Sequence, residues 1–425
     1  MTPTSTAGPA ASQAANIARV ASGNFLEMYD FMVFGYYATN IAHAFFPAGN
    51  DFLSLMLTLM SFGAGFLMRP FGAVLLGAYT DHHGRKKGLL LTLSLMAVGT
   101  VSLACTPSYA SIGLAAPLLV VLGRLVQGFS AGAELGTVSV YLAEIAPPHR
   151  KGLYVAWQSA SQQVAVVTAA LLGLALNRLL PAEAMNEWGW RIPLLLGCAL
   201  VPLLYVFRRH MVESDAFLKQ PRPLAVSQLL RRTAQSWPII LAGMLMVAMT
   251  TVSFYLLTAY TPTFGKVELH LSAQDSFLVM LCIGISNFLW LFVIGALSDR
   301  IGRRIPLLVA ALLTVITAYP AMLWLVREPS FLRLLAVGLW LSALYGGYNA
   351  AMVPYLTEVV PAEVRASGFS VAYSLATALL GGFTPAISTG LIHITGDKAM
   401  PGAWMAAAGG MGVLGWFLVA RVLRR

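Results

Sequence analysis

The chain has 425 residues, 58% of them apolar and 10% charged, with a formal net charge of +10. Soluble domains carry roughly a quarter charged residues, so 27 basic and 17 acidic side chains cannot clothe a water-soluble surface of this length. So apolar a chain does not stay disordered either. Lysine and arginine fall in short clusters between apolar stretches, which suits a lipid bilayer with an anionic face and argues against nucleic acid as a partner. Cys105, Cys198 and Cys282 lie far apart inside apolar runs and make no redox or metal-ligand spacing. Neither a metal nor another cofactor is expected.

Residues 1–17 are rich in Ala, Ser and Thr and predict a disordered tail without a cleaved signal. A helix of about 20 mostly apolar residues crosses the hydrocarbon core, and twelve such stretches follow. Spans 1 to 6 are expected over 18–46, 52–79, 88–106, 113–144, 152–178 and 190–207. Spans 7 to 12 are expected over 237–262, 274–297, 305–326, 333–358, 366–394 and 401–421. The polar stretch 208–236, stiffened by Pro221 and Pro223, separates a first bundle (18–207) from a second (237–425). Nineteen of the 27 basic residues fall on the side of both termini and six on the other. The positive-inside rule therefore places both termini in the cytoplasm.

Two patterns recur. Gly77-Ala78-Tyr79-Thr80-Asp81-His82-His83-Gly84-Arg85-Lys86 matches Gly295-Ala296-Leu297-Ser298-Asp299-Arg300-Ile301-Gly302-Arg303-Arg304 between the second and third span of each half. Tyr141 to Pro147, with Glu144, matches Tyr355 to Pro361, with Glu358, at the cytoplasmic end of the fourth span of each half. The chain is a duplicated six-helix unit. The glycines permit a tight turn and close helix approach, and the acids and arginines can latch the cytoplasmic side by pairing across the halves.

Charged residues inside apolar helices cost about 2.5–3.5 kcal/mol each and are functional candidates by default. Five occur: Glu27 and Asp30 in span 1, Arg69 in span 2, Arg124 and Glu134 in span 4. Counting about 1.5 Å per residue puts four of them near the midplane and Arg124 nearer the outer face. Two carboxylates three residues apart cannot both stay ionised in one dry site; one holds a proton or pairs with Arg69. Glu27, Asp30 and Glu134 are the candidate proton carriers. The same five residues could instead form static pairs that hold spans 1, 2 and 4 together, though Arg124 and Glu134 are too far apart to pair with each other.

Arg69 and Arg124 are the fixed cations available to an anionic cargo. Asn24, Gln158 and Gln162 supply amides; Gln158 and Gln162, one turn apart, serve equally well as helix glue or as a cavity wall. Spans 7 to 12 hold no intramembrane charge and offer hydroxyls and amides instead, among them Tyr255, Thr258, Asn287 and Asn349.

The paired loop strings resemble the signature of the major facilitator superfamily. Ser22 to Phe31, Met68-Arg69-Pro70-Phe71-Gly72, Gly123 to Glu134, Trp157 to Gln163 and Arg208-Arg209 with Glu213 resemble its metabolite:proton symporter branch. The citrate and tricarballylate symporters of Gram-negative bacteria are the most similar group. The resemblance implies an all-α membrane protein of two pseudo-symmetric six-helix bundles, monomeric, in the inner membrane. It implies alternating access around a cavity between spans 1, 2, 4, 5, 7, 8 and 10, and a carrier rather than an enzyme. Importing a trianion against 100 mV is opposed by about 7 kcal/mol, so co-transported cations are required. Protons are the expected partner. Na+, a dicarboxylate cargo, a zwitterionic osmolyte cargo, or a membrane sensor that binds without transporting are the alternatives the residues leave open.

Overall fold

The computed structural model describes residues 9–146, 151–211, 213, 235–359 and 365–422, with the side chains at 9–14, 81, 140, 143, 151–153, 155, 357, 365–367 and 422 left aside. All described regular structure is helical. Span 1 is Pro9–Tyr36 continued by Ala38–Phe45. Helix therefore already covers residues 9–17, where a disordered tail is expected. Span 2 is Asp51–Leu67 and Arg69–His83, span 3 Arg85–Cys105, span 4 Ala115–Ile145, span 5 Lys151–Leu179 and span 6 Ile192–Arg208. In the second half, span 7 runs through Trp237–Tyr255, a π turn Leu256–Tyr260 and Thr261–Val267; spans 8, 9 and 10 are Ala273–Ile301, Arg304–Arg327 and Phe331–Val359. Span 11 is Arg365–Ala376, a π turn Thr377–Gly381 and Thr384–Thr395, and span 12 is Met400–Val422.

Eleven spans among the described residues are long and apolar enough to cross a membrane. The remaining one, span 1, is long enough, but Asn24, Glu27 and Asp30 lower its mean hydropathy. Proline sets the breaks. Pro70 lacks an N–H and its ring would crowd the carbonyl of Phe66, so span 2 is interrupted at Met68, whose own N–H turns to Gly65 and Phe66. That interruption delivers Arg69 to span 1. Pro262 and Pro385 stand just beyond the two π turns.

Spans 2 and 4 touch backbone to backbone. A Cβ added at Gly128 would fall 1.6 Å from the Gly65 carbonyl oxygen, one at Gly132 2.0 Å from that of Arg69, and one at Gly72 1.8 Å from that of Phe129. Small residues four apart allow such contact between membrane helices, where packing rather than water expulsion drives association. Gly128→Ala is expected to destabilise by at least about 1–3 kcal/mol through overpacking. The check is thermal melting in detergent, with Gly77→Ala as the neutral control because nothing lies within 4 Å of a Cβ there.

The repeat is visible in the backbone. Gly84 (φ +106°, ψ 153°) and Gly302 (φ +87°, ψ 153°) turn the chain in the same way at equivalent places in the two halves. Such φ values suit glycine. The expectation of close helix approach fails for Gly77 and Gly295, both of which face open space. After span 6, the Glu213 carboxylate accepts from the backbone N–H groups of Arg85 (2.9 Å) and Lys86 (3.2 Å). An anion there satisfies two orphan donors at the start of span 3 and complements its dipole.

The halves touch on both sides of the charged residues. The Phe52 and His393 rings stack at 3.8 Å near the start of span 2. Gly35 lies against Ala259 and Gly382 against Phe66 further in, and Gly136 against Ser370 toward the opposite end. Span 11 thus joins the interface, although the expected cavity omits it.

Candidate functional site

The five intramembrane charges fall into three groups along the helices. Nearest the turn between spans 2 and 3, the fully buried Arg208 donates to Glu134 and to the carbonyl oxygens of Val20 (2.7 Å), Leu89 (2.9 Å) and Arg19 (3.3 Å). Thr92 donates its hydroxyl to the same Glu134 carboxylate, and Ser130 donates to the Thr92 carbonyl at 2.6 Å. Gly23 leaves the room, since a Cβ there would overlap the Arg208 guanidinium at 2.1 Å. Arg208 is therefore a buried tie between spans 1, 3, 4 and 6, where the sequence places it at the start of a solvated connector. Glu134 is committed to that tie.

In the middle group, Arg69 pairs with Glu27 at 2.7 Å, both at most 5% exposed. Of the partners open to Arg69, the structure selects Glu27. The Arg69 guanidinium also lies over Phe66 (4.7 Å) and Phe31 (5.2 Å), the geometry of a desolvated cation–π contact.

The third group joins Asp30 and Arg124 through a residue outside the expected site. Thr100 of span 3 donates to Asp30, as does Gln127 Nε2 of span 4 at 3.4 Å. Gln127 Oε1 accepts from Arg124 Nη1 at 2.7 Å. Arg124 is fully buried in an aromatic box of Phe31 (4.3 Å), Phe34 (4.6 Å) and Phe62 (5.3 Å). Among the described residues its Nε and Nη2 find no partner, nor do Arg69 Nε, Glu27 Oε2 and Asp30 Oδ1. Arg124 and Asp30 thus share one hydrogen-bond network through Gln127.

The second half faces this group with phenols. Tyr255 of span 7 packs edge-on to Phe66 (5.0 Å) and Phe62 (5.9 Å) and lies within electrostatic reach of Arg69, Glu27 and Arg124. Tyr373 of span 11, unforeseen in the sequence, is within reach of Arg69 and Glu27. Thr258 spends its hydroxyl on the Phe254 carbonyl (2.6 Å). Thr250, Ser253, Thr377 and the Asn349 side-chain oxygen are buried without partners among the described residues.

The remaining amides divide into two groups. Asn24 donates to the Gln158 carbonyl and to Ser161 (both 2.7 Å), and Gln158 Nε2 returns a bond to Asn24 at 3.4 Å, a span 1–span 5 tie. Gln162 is buried beside them on span 5. Asn287 bridges the halves, donating to Gln163 of span 5 (3.2 Å) and accepting from Ser342 of span 10 (2.7 Å). Gln163, Gln127, Thr100, Tyr373 and Arg208 are the residues the sequence reading leaves out of the site.

The loop residues form ion pairs inside each half. Arg85 meets Glu144 at 3.3 Å; Arg303 pairs with Asp299 and reaches Glu358 at 3.6 Å. These pairs do not make the expected latch across the halves. The Asp81 side chain is outside the described residues.

Two duplicated six-span bundles closing on a buried, charge-bearing centre define a secondary carrier that works by exposing that centre to one side at a time. The chain belongs to the Major Facilitator Superfamily, whose profile it matches over residues 20–385. It is 60% identical over 398 residues to the citrate-proton symporter of Klebsiella pneumoniae, covering 94% of this chain and 90% of that one. It is 56% identical over 403 residues to the citrate-proton symporter of Salmonella typhi, covering 94% and 93%. Among solved structures, the partially occluded inward-open xylose transporter XylE of E. coli superposes with a TM-score of 0.77 at 18% identity, over 95% of this chain and 96% of that one. That likeness concerns the fold. The protein is a multi-pass membrane transporter.

Proposed function

We propose that the chain is a proton-coupled symporter importing citrate across the bacterial inner membrane by alternating access, as a monomer with both termini cytoplasmic. The observation that carries the reading is Arg124: a fully buried guanidinium whose Nε and Nη2 have no partner among the described residues, beside two buried carboxylates. A buried cation with free donors is costly unless something anionic visits it. A carboxylate of the cargo supplies the missing acceptors, in bidentate geometry where it can. Tyr255, Tyr373, Asn349 and the unpartnered hydroxyls of the second half offer neutral donors to the rest of a tricarboxylate. Glu27 and Asp30 carry the protons that offset its charge. The names of the two close relatives support citrate as the cargo.

The test is uptake of labelled citrate into proteoliposomes with pH and Na+ gradients imposed separately. Accumulation is expected when the interior is alkaline and not when a Na+ gradient acts alone; tricarballylate is expected to compete. If an alkaline interior drives no citrate accumulation, the proposal fails.

A further inference from the structure

We propose that Gln127 is a positioning residue that couples proton binding at Asp30 to the grip of Arg124 on the anionic cargo. The inference rests on the symport reading above and adds the part that makes its two ligands interdependent. Gln127 is fully buried, and both ends of its amide are engaged: Oε1 accepts from Arg124 Nη1 (2.7 Å), while Nε2 donates to Asp30 Oδ2 (3.4 Å) and Thr100 Oγ1 (3.3 Å). Arginine only donates and an ionised carboxylate only accepts, so the amide has one workable orientation. Reversed, it would set N–H against N–H and oxygen against oxygen.

Asp30 is faced by Thr100 from span 3, Arg124 and Gln127 from span 4, Cys198 from span 6 and Tyr29 on its own helix. Among these groups Arg124 is the cation. With Asp30 ionised, the carboxylate draws on Nε2, the amide is polarised along its length, and Oε1 holds Arg124 Nη1 more strongly. The guanidinium is then both tethered and partly neutralised. A proton on Asp30 removes that pull and leaves the arginine charge to the cargo. Linkage makes the effect reciprocal: bound anion favours the proton as much as the proton favours the anion. Span 4 supplies both Arg124 and Gln127, one turn apart, so the relay survives any movement of the second half.

The experiment is the pH dependence of apparent citrate affinity in proteoliposome exchange, for wild type and Gln127→Met. The methionine keeps length and apolar volume and removes all three hydrogen bonds of the side-chain amide. Ionisation of citrate itself is common to the two proteins, so the difference between their profiles reports the protein's proton. Wild-type affinity is expected to strengthen at least tenfold from pH 8 to pH 6 beyond any change in Gln127→Met, within the roughly 5–150-fold range of coupled sites. A Gln127→Met profile that is parallel to wild type, even if uniformly weaker, overturns the proposal. Gln127→Glu is the second variant, should the first not reach the membrane. Its fixed anion beside Arg124 is expected to weaken binding at pH 8 at least tenfold, and wild-type affinity there overturns the proposal equally. Failure of wild type to accumulate citrate would instead strike the symport reading, so the two failures are told apart.

Discussion

Arg124→Gln is expected to weaken citrate binding by a hundredfold or more while the protein still folds. Each hydrogen bond to a charged group contributes about 1.5–3 kcal/mol, and two lost bonds make about 3–6 kcal/mol, where 1.4 kcal/mol is tenfold in affinity. The fold should tolerate the change because Arg124 makes no ion pair among the described residues. Its surroundings are three phenylalanine rings and one amide, and a neutral side chain there lifts a desolvation cost. Calorimetric titration of the purified variant with citrate is the measurement. Affinity within threefold of wild type would place the anion elsewhere in the interface.

The second large effect concerns stability. Arg208→Leu removes the counterion of Glu134, leaving a buried carboxylate with the Thr92 hydroxyl as its remaining described donor. Breaking a buried pair from one side costs about 3–5 kcal/mol. Glu134→Gln is milder, because Arg208 keeps the carbonyls of Arg19, Val20 and Leu89. The double variant Glu134→Gln/Arg208→Leu should melt above Arg208→Leu alone, since it carries no stranded charge. Equal melting of those two would show that the carboxylate, not the lost carbonyl bonds, is irrelevant to the tie. The cycle isolates the pairwise part because each single change removes one partner.

Glu27, Asp30, Arg69 and Arg124 were legible in the sequence because a charge in an apolar helix is anomalous on its own, without knowledge of what it touches. The spans were legible for the same reason, through length and composition. Gln127, Thr100 and Tyr373 carry no such mark: neutral polar residues are common in membrane helices, and only the partner across the helix interface gives them meaning. Arg208 misleads differently. An arginine at a helix end normally sits at the headgroups, and its true partner is 74 residues away. The latch expected across the halves rests on the repeated loop charges, of which the described pairs, Arg85–Glu144 and Arg303–Glu358, lie within one half each.

The glycine seam between spans 2 and 4 bears on how the carrier moves. Backbones in direct contact at Gly65, Gly72, Gly128 and Gly132 have no slack to slide, so Arg69 and Arg124 travel as parts of a single plate with a fixed separation. Opening and closing then fall to the other jaw, which buries no charge among its described residues and whose spans 7 and 11 each include a π turn. The anvil that reads cargo charge keeps its spacing, and the hammer closes against it.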